Sequence, residues 1–554
     1  MTSSYRWLMA TAAVVAPAGA AHAQQTPVDP GRVDQRLRPA PLAPDARPVD
    51  LPELPRQHTA PESALSVRLT AIRFEGATAL PQAELDAIAA PYIGRDMPLA
   101  EVFALAEKIT AEYRRRGFVL SRAVVGPQRI ENGVLTVQIV EGYIGKTGIE
   151  GDAGGYAPFL RRYLASAAAA RPTSGDALTR ALLLARDLEG VEVRAVLTPS
   201  PSETGAADLT LAVERKPIEG YFAIDNRGSR WLGPLQVYGG LTLNDNLGLG
   251  ERITLTGVSA PANRELGFLS ATYDQPVGGS GLRFTAFGSY AATHPGDELR
   301  LFDLRGKSLT FGAAARYPLV RSRDTNVIAR FVFTGRDTDS RNVVVDPIFR
   351  DKIRTVQGEL FGNYAAPWGS VISSRVSVTQ GLDWFGATLR SDANKSRATG
   401  SGEFTRANFE LSVAQKLAGP LYVQLSGAGQ LSGDSLLASE EFGIGSEQYA
   451  RAYDPSEITG DEGVAGRAEL FYAARAGFGS VQPYAYYEAG RVRQNSPLPG
   501  EAGHSSIESA GAGIRLGLNE GISASAEYAK PLNRPVASRG DKDGRFFFSL
   551  SASF

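Results

Sequence analysis

Phe546-Phe547-Phe548-Ser549-Leu550-Ser551-Ala552-Ser553-Phe554, at the carboxy terminus, decides how this chain folds. Successive side chains of a strand point to opposite faces, so Phe546, Phe548, Leu550, Ala552 and Phe554 share one side. Ser549, Ser551 and Ser553 share the other. A strand that is apolar on one face, polar on the other and aromatic at its limits suits a closed cylinder with lipid outside and water within. The pattern recurs inward along the chain. Ile522, Ala524, Ala526 and Tyr528 oppose Ser523, Ser525 and Glu527, and Leu421, Val423 and Leu425 oppose Tyr422, Gln424 and Ser426.

The same texture fills Pro217 to Phe554 and predicts a transmembrane antiparallel β-barrel. About sixteen strands are expected, beginning near Ile218, Gly233, Glu251, Glu265, Gly281, Leu304, Asn326, Ile353, Val371, Gly402, Leu421, Ala465, Val481, Ile507, Ile522 and Arg545. That is about 21 residues per strand plus connection, which fits strands of about 10 residues and unequal turns. An even count closes an antiparallel cylinder without a free edge. Boundaries read from one sequence also admit fourteen or eighteen strands. A final strand with a carboxy-terminal aromatic resembles bacterial outer-membrane barrel proteins. The resemblance implies that Phe554 is a barrel-assembly signal, and that outer-membrane lipid and the barrel assembly machinery are partners.

Composition excludes several chemistries. The 554 residues contain no Cys, and the formal net charge is -1 with a pI of about 6.5. This balance gives no electrostatic reason to expect nucleic acid. Lack of Cys removes disulfides, thiolate catalysis and Cys-ligated metals. His22, His58, His294 and His504 are too dispersed to suggest a metal cluster. Asn246-Leu247-Gly248-Leu249-Gly250-Glu251 superficially suggests a phosphate loop, but a strand pattern, Ile253-Thr254-Leu255-Thr256, follows where a helix is required. A tight periplasmic turn is the reading. No Gly-x-Ser-x-Gly elbow with an associated His occurs in the barrel region, so neither enzyme activity nor a cofactor is expected.

Residues 1–23 read as a secretory signal: Arg6, an apolar run from Trp7 to Ala16, then Ala21-His22-Ala23 as a small-x-small cleavage site before Gln24. The apolar run is too short for a membrane anchor and breaks at Pro17. Residues 24–63 are rich in Pro, Asp, Arg and Ala and read as an extended linker, with Pro30 to Arg38 a candidate short polar helix.

Residues 64–142 and 143–216 read as two α/β units of one pattern. In the first, a strand Val67–Phe74 precedes a helix from Pro81 to about Tyr92. A second helix begins at Pro98 with Leu99, Val102, Ala106, Ile109 and Tyr113 on one face. Strands Phe118–Val125 and Gly133–Val140 follow. The second unit repeats the order with strand Tyr143–Glu150, helices Tyr156–Ala167 and Asp176–Leu188, and strands Val191–Thr198 and Asp208–Glu214. A β-α-α-β-β unit of this kind resembles a POTRA domain. Arg116-Gly117-Phe118-Val119-Leu120-Ser121 through Val140-Glu141-Gly142-Tyr143-Ile144 is especially similar to the first POTRA of two-partner secretion transporters of the TpsB type.

A long loop, Ser432 to Val464, separates the eleventh and twelfth strands. It carries Ala450-Arg451-Ala452-Tyr453 and Gly460-Asp461-Glu462-Gly463. These resemble the loop motif of the outer-membrane insertase and transporter superfamily, usually Val-Arg-Gly-Tyr or Val-Arg-Gly-Phe followed by Gly-Asp-x-Gly. Ala450 and Ala452 depart from it. The resemblance implies a loop folded into the lumen, with Arg451, Tyr453, Asp461 and Gly463 as a lock and an acid on the thirteenth strand as its partner. That strand has Tyr484, Tyr486 and Glu488 on one face, so Arg451 is expected to make a bidentate pair with Glu488. Ala452 is the departure of most concern, since Gly there would give access to φ values that Ala rarely adopts.

Signal, linker, two POTRA-like units and barrel together resemble a TpsB transporter over nearly the whole mature chain. The resemblance implies that an unfolded, β-prone secreted exoprotein with a β-helical passenger is recognised in the periplasm and exported through the lumen without ATP. It also implies an amino-terminal helix plugging the resting pore, and here the candidate is short and flanked by prolines. Two other readings stay open: an assembly factor or insertase of the same superfamily, and a passive porin or receptor.

Overall fold

The computed structural model describes residues 28–37, 66–262, 264–518 and 521–554. The expected signal 1–23, and the linker 24–63 apart from 28–37, lie outside the described residues. Within the linker stands one helix, α1 (Pro30–Leu37).

The first α/β unit begins with two short strands, β1 (Ser66–Arg68) and β2 (Ala71–Glu75), where one strand was expected. The break falls at Leu69, which turns fully into the core. After α2 (Gln82–Ala89) comes β3 (Asp96–Pro98), which pairs with β1. Helix α3 (Leu99–Arg115) then buries Val102, Leu105, Ile109 and Tyr113, a stripe at helical spacing. The expected strand Phe118–Val125 shortens to β4 (Arg122–Val124), because the amide of Phe118 donates to Tyr113 O at 2.9 Å and closes a turn. Strand β5 (Val134–Val140) is central, parallel to β2 and antiparallel to β4. Its Leu135, Val137 and Ile139 meet the helices, each burial contributing roughly 1.5–3 kcal/mol.

The second unit repeats the topology with β6 (Tyr143–Gly151), α4 (Ala157–Ala167), α5 (Gly175–Arg186), β7 (Val191–Pro199) and β8 (Ala206–Arg215). Its sheet order is β6-β8-β7, with β6 parallel and β7 antiparallel to the central β8.

From Ile218 the chain crosses back and forth. The first strands are β9 (Ile218–Asp225), β10 (Gln236–Asn244), β11 (Arg252–Ser259), β12 (Leu266–Val277) and β13 (Leu282–Thr293). The long ones follow: β14 (Arg305–Arg321), β15 (Thr325–Arg341) and β16 (Phe349–Ala365). Next are β17 (Ser370–Gly381), β18 (Thr405–Ala418) and β19 (Leu421–Ser432). Two short strands, β20 (Phe442–Ile444) and β21 (Ile458–Gly460), pair only with each other. The wall resumes with β22 (Glu462–Tyr472), its continuation β23 (Ala474–Ala476), β24 (Gly479–Arg493), β25 (His504–Leu518), β26 (Ile522–Pro531) and β27 (Arg545–Ser553). With β23 counted as part of β22, sixteen antiparallel strands close a barrel, β27 pairing with β9.

Alternation holds along the wall. Phe222, Leu269, Leu360, Leu425, Phe548 and Leu550 face outward and are exposed. The lumenal face is not uniformly polar: Phe547 is buried, with the guanidinium carbons of Arg227 and Arg545 each 4.9 Å from its ring centroid. Several strands begin a few residues from their expected starts. The eighth begins at Phe349 rather than near Ile353, and the tenth at Thr405 rather than Gly402. Strand ends beyond the apolar band pair with loops and need no alternation, so the sequence signal fades there.

Two features position the lumen. Helix α1 lies inside the barrel against β13, β14 and β15. Its Val33, with Val28 just before it, joins a buried cluster with Trp231, Leu232 and Phe268. At the periplasmic mouth the second α/β unit is docked by charge. Asp187 receives two hydrogen bonds from Arg321, each 2.8 Å, Glu189 pairs with Arg252 at 2.5 Å, and Asp245 accepts from the Gly155 amide at 2.7 Å.

Candidate functional site

The loop between β19 and β22 enters the lumen, and its backbone explains how. Left-handed or otherwise positive φ at Gly445 (123°), Ser446 (140°), Ala450 (62°) and Ser456 (55°) turns the chain between the β20 and β21 arms. Ile444, Ala450, Ala452, Tyr453 and Ile458 are buried against the wall residues Tyr484, Tyr486, Val492 and Ile507. The strain expected at Ala452 falls instead on Ala450, since Ala452 is not among the residues of positive φ.

Arg451 occupies the tip, and its backbone amide donates to Glu488 Oε2 at 2.7 Å. Its guanidinium is divided. Nη2 donates to Glu469 Oε2 at 2.7 Å, Nη1 donates to Glu527 Oε2 at 3.1 Å, and Nε lies 3.1 Å from Glu488 Oε1 without hydrogen-bond geometry. The expected bidentate fork on Glu488 is therefore replaced by a three-carboxylate cradle. Register is the reason: β22, β24 and β26 each turn an acid inward at similar height. Arg467 of β22 is opposite Glu488, and Glu469 of the same strand is opposite Tyr486. Arg451 also lies 4.1 Å from the Tyr486 ring centroid, a cation–π distance. Further cations balance the acids: Arg515 reaches Glu469 at 2.7 Å and Arg227 reaches Glu527 at 3.4 Å. Ser509 Oγ donates to Glu488 at 2.9 Å and Tyr484 OH donates to Glu527 at 2.7 Å.

The other expected loop residues are buried nearby, but not on this cradle. Tyr453 OH lies among Glu508 O, Asn533 Oδ1 and Arg534 O at 3.1–3.2 Å. Asp461 closes the loop base, accepting from the Leu436 amide at 2.7 Å, the Asn495 amide at 2.8 Å and Arg397 Nη1 at 2.8 Å. Gly463 leaves room for Phe442, whose ring would be 2.4 Å from an added Cβ. Phe554 is far from all of these, at the seam, exchanging backbone hydrogen bonds with Gly220 at 2.9 and 3.0 Å.

Sequence reasoning missed Glu469 and Glu527 as partners, although Glu527 already stood on the inward face of a recognised strand. It also missed Glu440 and Glu441 in the descending arm. Glu440 pairs with Arg336 at 2.5 Å and Arg406 at 3.0 Å. Glu441 pairs with Arg397 at 3.1 Å and with Arg32 of α1 at 3.3 Å. Loop and helix are thus tied to one another inside the barrel. Beside them remains a cavity of about 280 Å³, with Glu359, Arg375, Arg406 and Glu410 in its lining.

Comparisons with known proteins agree with this architecture. Residues 205–516 match the family model described as haemolysin secretion/activation protein ShlB/FhaC/HecB, and residues 67–142 match a POTRA domain of the ShlB type. The heme/hemopexin transporter protein HuxB of Haemophilus influenzae is 22% identical over 85% of this chain and 84% of its own length. The hemolysin transporter protein HpmB of Proteus mirabilis is 24% identical over 83% of this chain and 80% of its own. Among solved structures, CdiB from Escherichia coli superposes with a TM-score of 0.71 at 22% identity, covering 97% of this chain and 98% of that one. With a POTRA domain in the periplasm and a sixteen-stranded barrel in the outer membrane, the chain belongs to the haemolysin secretion/activation protein ShlB/FhaC/HecB family of two-partner secretion transporters.

Proposed function

We propose that this transporter takes an unfolded, β-prone exoprotein from the periplasm and passes it through the lumen without nucleotide. The observation that carries the reading is what fills the pore. A helix and a loop occupy it, held in large part by ion pairs between side chains, such as Arg32–Glu441 and the Arg451 cradle. Polar contacts of this kind can be exchanged for water or for a passing polypeptide, whereas a dry apolar plug cannot. Arg451 and its three acids would pin the loop, and α1 would close the resting channel.

The periplasmic sheets suit capture by strand addition, in which backbone hydrogen bonds supply affinity with little demand on side chains. In the second unit β6 and β7 are the edges. The start of β6 is covered, its Ile144 amide donating to Thr173 Oγ1 at 3.0 Å, so the nine-residue β7 is the more open edge. Phe554 would mark the chain for barrel assembly.

Coexpression with a candidate exoprotein tests the reading. The exoprotein should reach the medium only when the transporter is present. Retention in the periplasm beside a folded, normally abundant transporter would refute export of that partner. Alanine at Arg451 or Glu488 should lower export, and wild-type rates from both would remove the loop from the mechanism.

A further inference from the structure

One sector of the outer wall is charged where its neighbours are not. The outward faces of β14, β15 and β16 are apolar through the membrane, as at Leu309, Phe311, Phe331 and Leu360. Toward the extracellular end, where β15 turns into β16, this changes within two residues. Lys307 of β14 stands opposite Asp339 of β15, which stands opposite Arg350 of β16. One step lower, Asp337 stands opposite Lys352. The flanking strands offer no charge at these positions: Ala292 of β13 is opposite Lys307, and β17 ends at Gly381, opposite Thr355. Beyond it Leu382, Thr388 and Asn394 of the next loop hydrogen-bond the backbone of Arg354, Lys352 and Arg350.

The height of this cluster follows from strand geometry. Lys307 is two residues beyond Leu309, roughly 7 Å along the strand and roughly 5 Å along the membrane normal at the usual tilt. Lys352 shares the register of Leu309 through Asp337, at the upper limit of the apolar band. Side chains there emerge at the level where hydrocarbon gives way to head groups.

Its charge is not internally balanced. Asp339 is taken by Arg350 at 3.1 Å and Asp337 by Arg354 at 2.7 Å. In the adjoining loops Asp303 is taken by Arg305 at 3.1 Å, Asp346 by Arg341 at 3.5 Å and Asp297 by Arg230 at 2.9 Å, while Glu298 accepts from the Trp231 indole at 3.3 Å. Lys307 and Lys352 are left, and among the described residues neither forms an ion pair. Two ammonium groups therefore flank a pair of already neutralised carboxylates on a face that meets lipid.

We propose that this sector is a binding site for phosphate-bearing glycolipid head groups of the outer leaflet, with Lys307 and Lys352 as the phosphate ligands. An ammonium donates to phosphate oxygens as a compact point charge with little demand on direction, and an anionic surface attracts cations held within a Debye length of it. Arg350 and Arg354 pair with Asp339 and Asp337 and so leave the two lysines to the head group. The site faces away from the lumen, so the inference does not rest on what the pore carries.

The test uses the full chain purified in neutral detergent and mixed with lipopolysaccharide or with the same lipopolysaccharide after phosphatase treatment. Bound lipid is counted by native mass spectrometry. Wild type should retain the phosphorylated form and release the dephosphorylated one. Lys307→Gln with Lys352→Gln should weaken retention by about tenfold or more, and Lys307→Arg with Lys352→Arg should keep it. Equal retention by the glutamine variant, or of the dephosphorylated lipid by wild type, would overturn the assignment. If the glutamine variant does not fold, judged by heat-modifiable migration, a salt series on wild type decides. Retention that falls as salt rises supports the site, and salt-independent retention rejects it.

Discussion

Arg451 is a single guanidinium shared among carboxylates from three strands, and its removal should be felt well beyond one side chain. Deleting one partner of a buried ion cluster costs roughly 3–5 kcal/mol, because the remaining charges stay buried. Arg451→Ala is therefore expected to release the loop, seen as new protease cleavage between 443 and 460 in the detergent-solubilised protein. Arg451→Lys should not restore protection, since an ammonium cannot present the planar fork that spans Glu469 and Glu527. The neighbouring alanines separate cleanly. A non-glycine residue in the left-handed region costs roughly 1–2 kcal/mol, so Ala450→Gly should leave the loop as well protected or better. Ala452→Gly should weaken it, because that residue is fully buried without positive φ. If the reverse holds, the tip is built differently. Glu488 was legible in the sequence because it shares a strand face with Tyr484 and Tyr486. Glu469 and Glu527 were not, since inward acids are common in a wet barrel and nothing in one sequence shows which of them lie around the same point.

Individual elements were legible in proportion to their periodicity. Helix α3 and strand β5 emerged with nearly correct limits because apolar spacing fixes both. The successive short strands β1 and β2 read as one, since a single residue, Leu69, breaks the run by turning inward. Helix α1 has no apolar stripe long enough to announce a buried position; its place depends on Arg32 meeting Glu441 more than four hundred residues later. Arg32→Ala should thus raise single-channel conductance in planar bilayers, and unchanged conductance would show that this pair does not retain the helix. Glu141, following β5, gives the first periplasmic unit a pH dependence. Burial alone would raise its pKa, but the Thr78 hydroxyl, the amides of Ala79 and Thr78 and the Tyr113 hydroxyl all donate to it, and the net value is lowered. A lowered folded value means stability that is fully present above the ordinary Glu pKa of about 4.3 and is lost as pH falls through the folded value. The thermal midpoint of this unit should fall between about pH 5 and pH 3, and Glu141→Gln should flatten that slope.

At the scale of the molecule, the junction between periplasm and membrane is electrostatic. Asp187 and Glu189 reach from the second unit to Arg321 and Arg252 on the barrel, so reversing either side should loosen the union. Asp187→Arg and Arg321→Asp are each expected to expose the junction to cross-linkers, and the double exchange should recover protection. Failure of the double variant to recover would assign the contact to shape rather than charge. The seam has another consequence. Strand β27 meets β9 through only five residue pairs, and Asn226 reinforces them by donating to Phe546 O at 2.9 Å across 320 positions of sequence. The two halves of that join leave the ribosome at opposite ends of synthesis of the membrane domain. Until the last nine residues arrive, both rims of the unrolled sheet are unpaired, and a prematurely stopped chain keeps them so for good. Closure of the whole cylinder can thus be read from one place, the backbone exchange between Phe554 and Gly220.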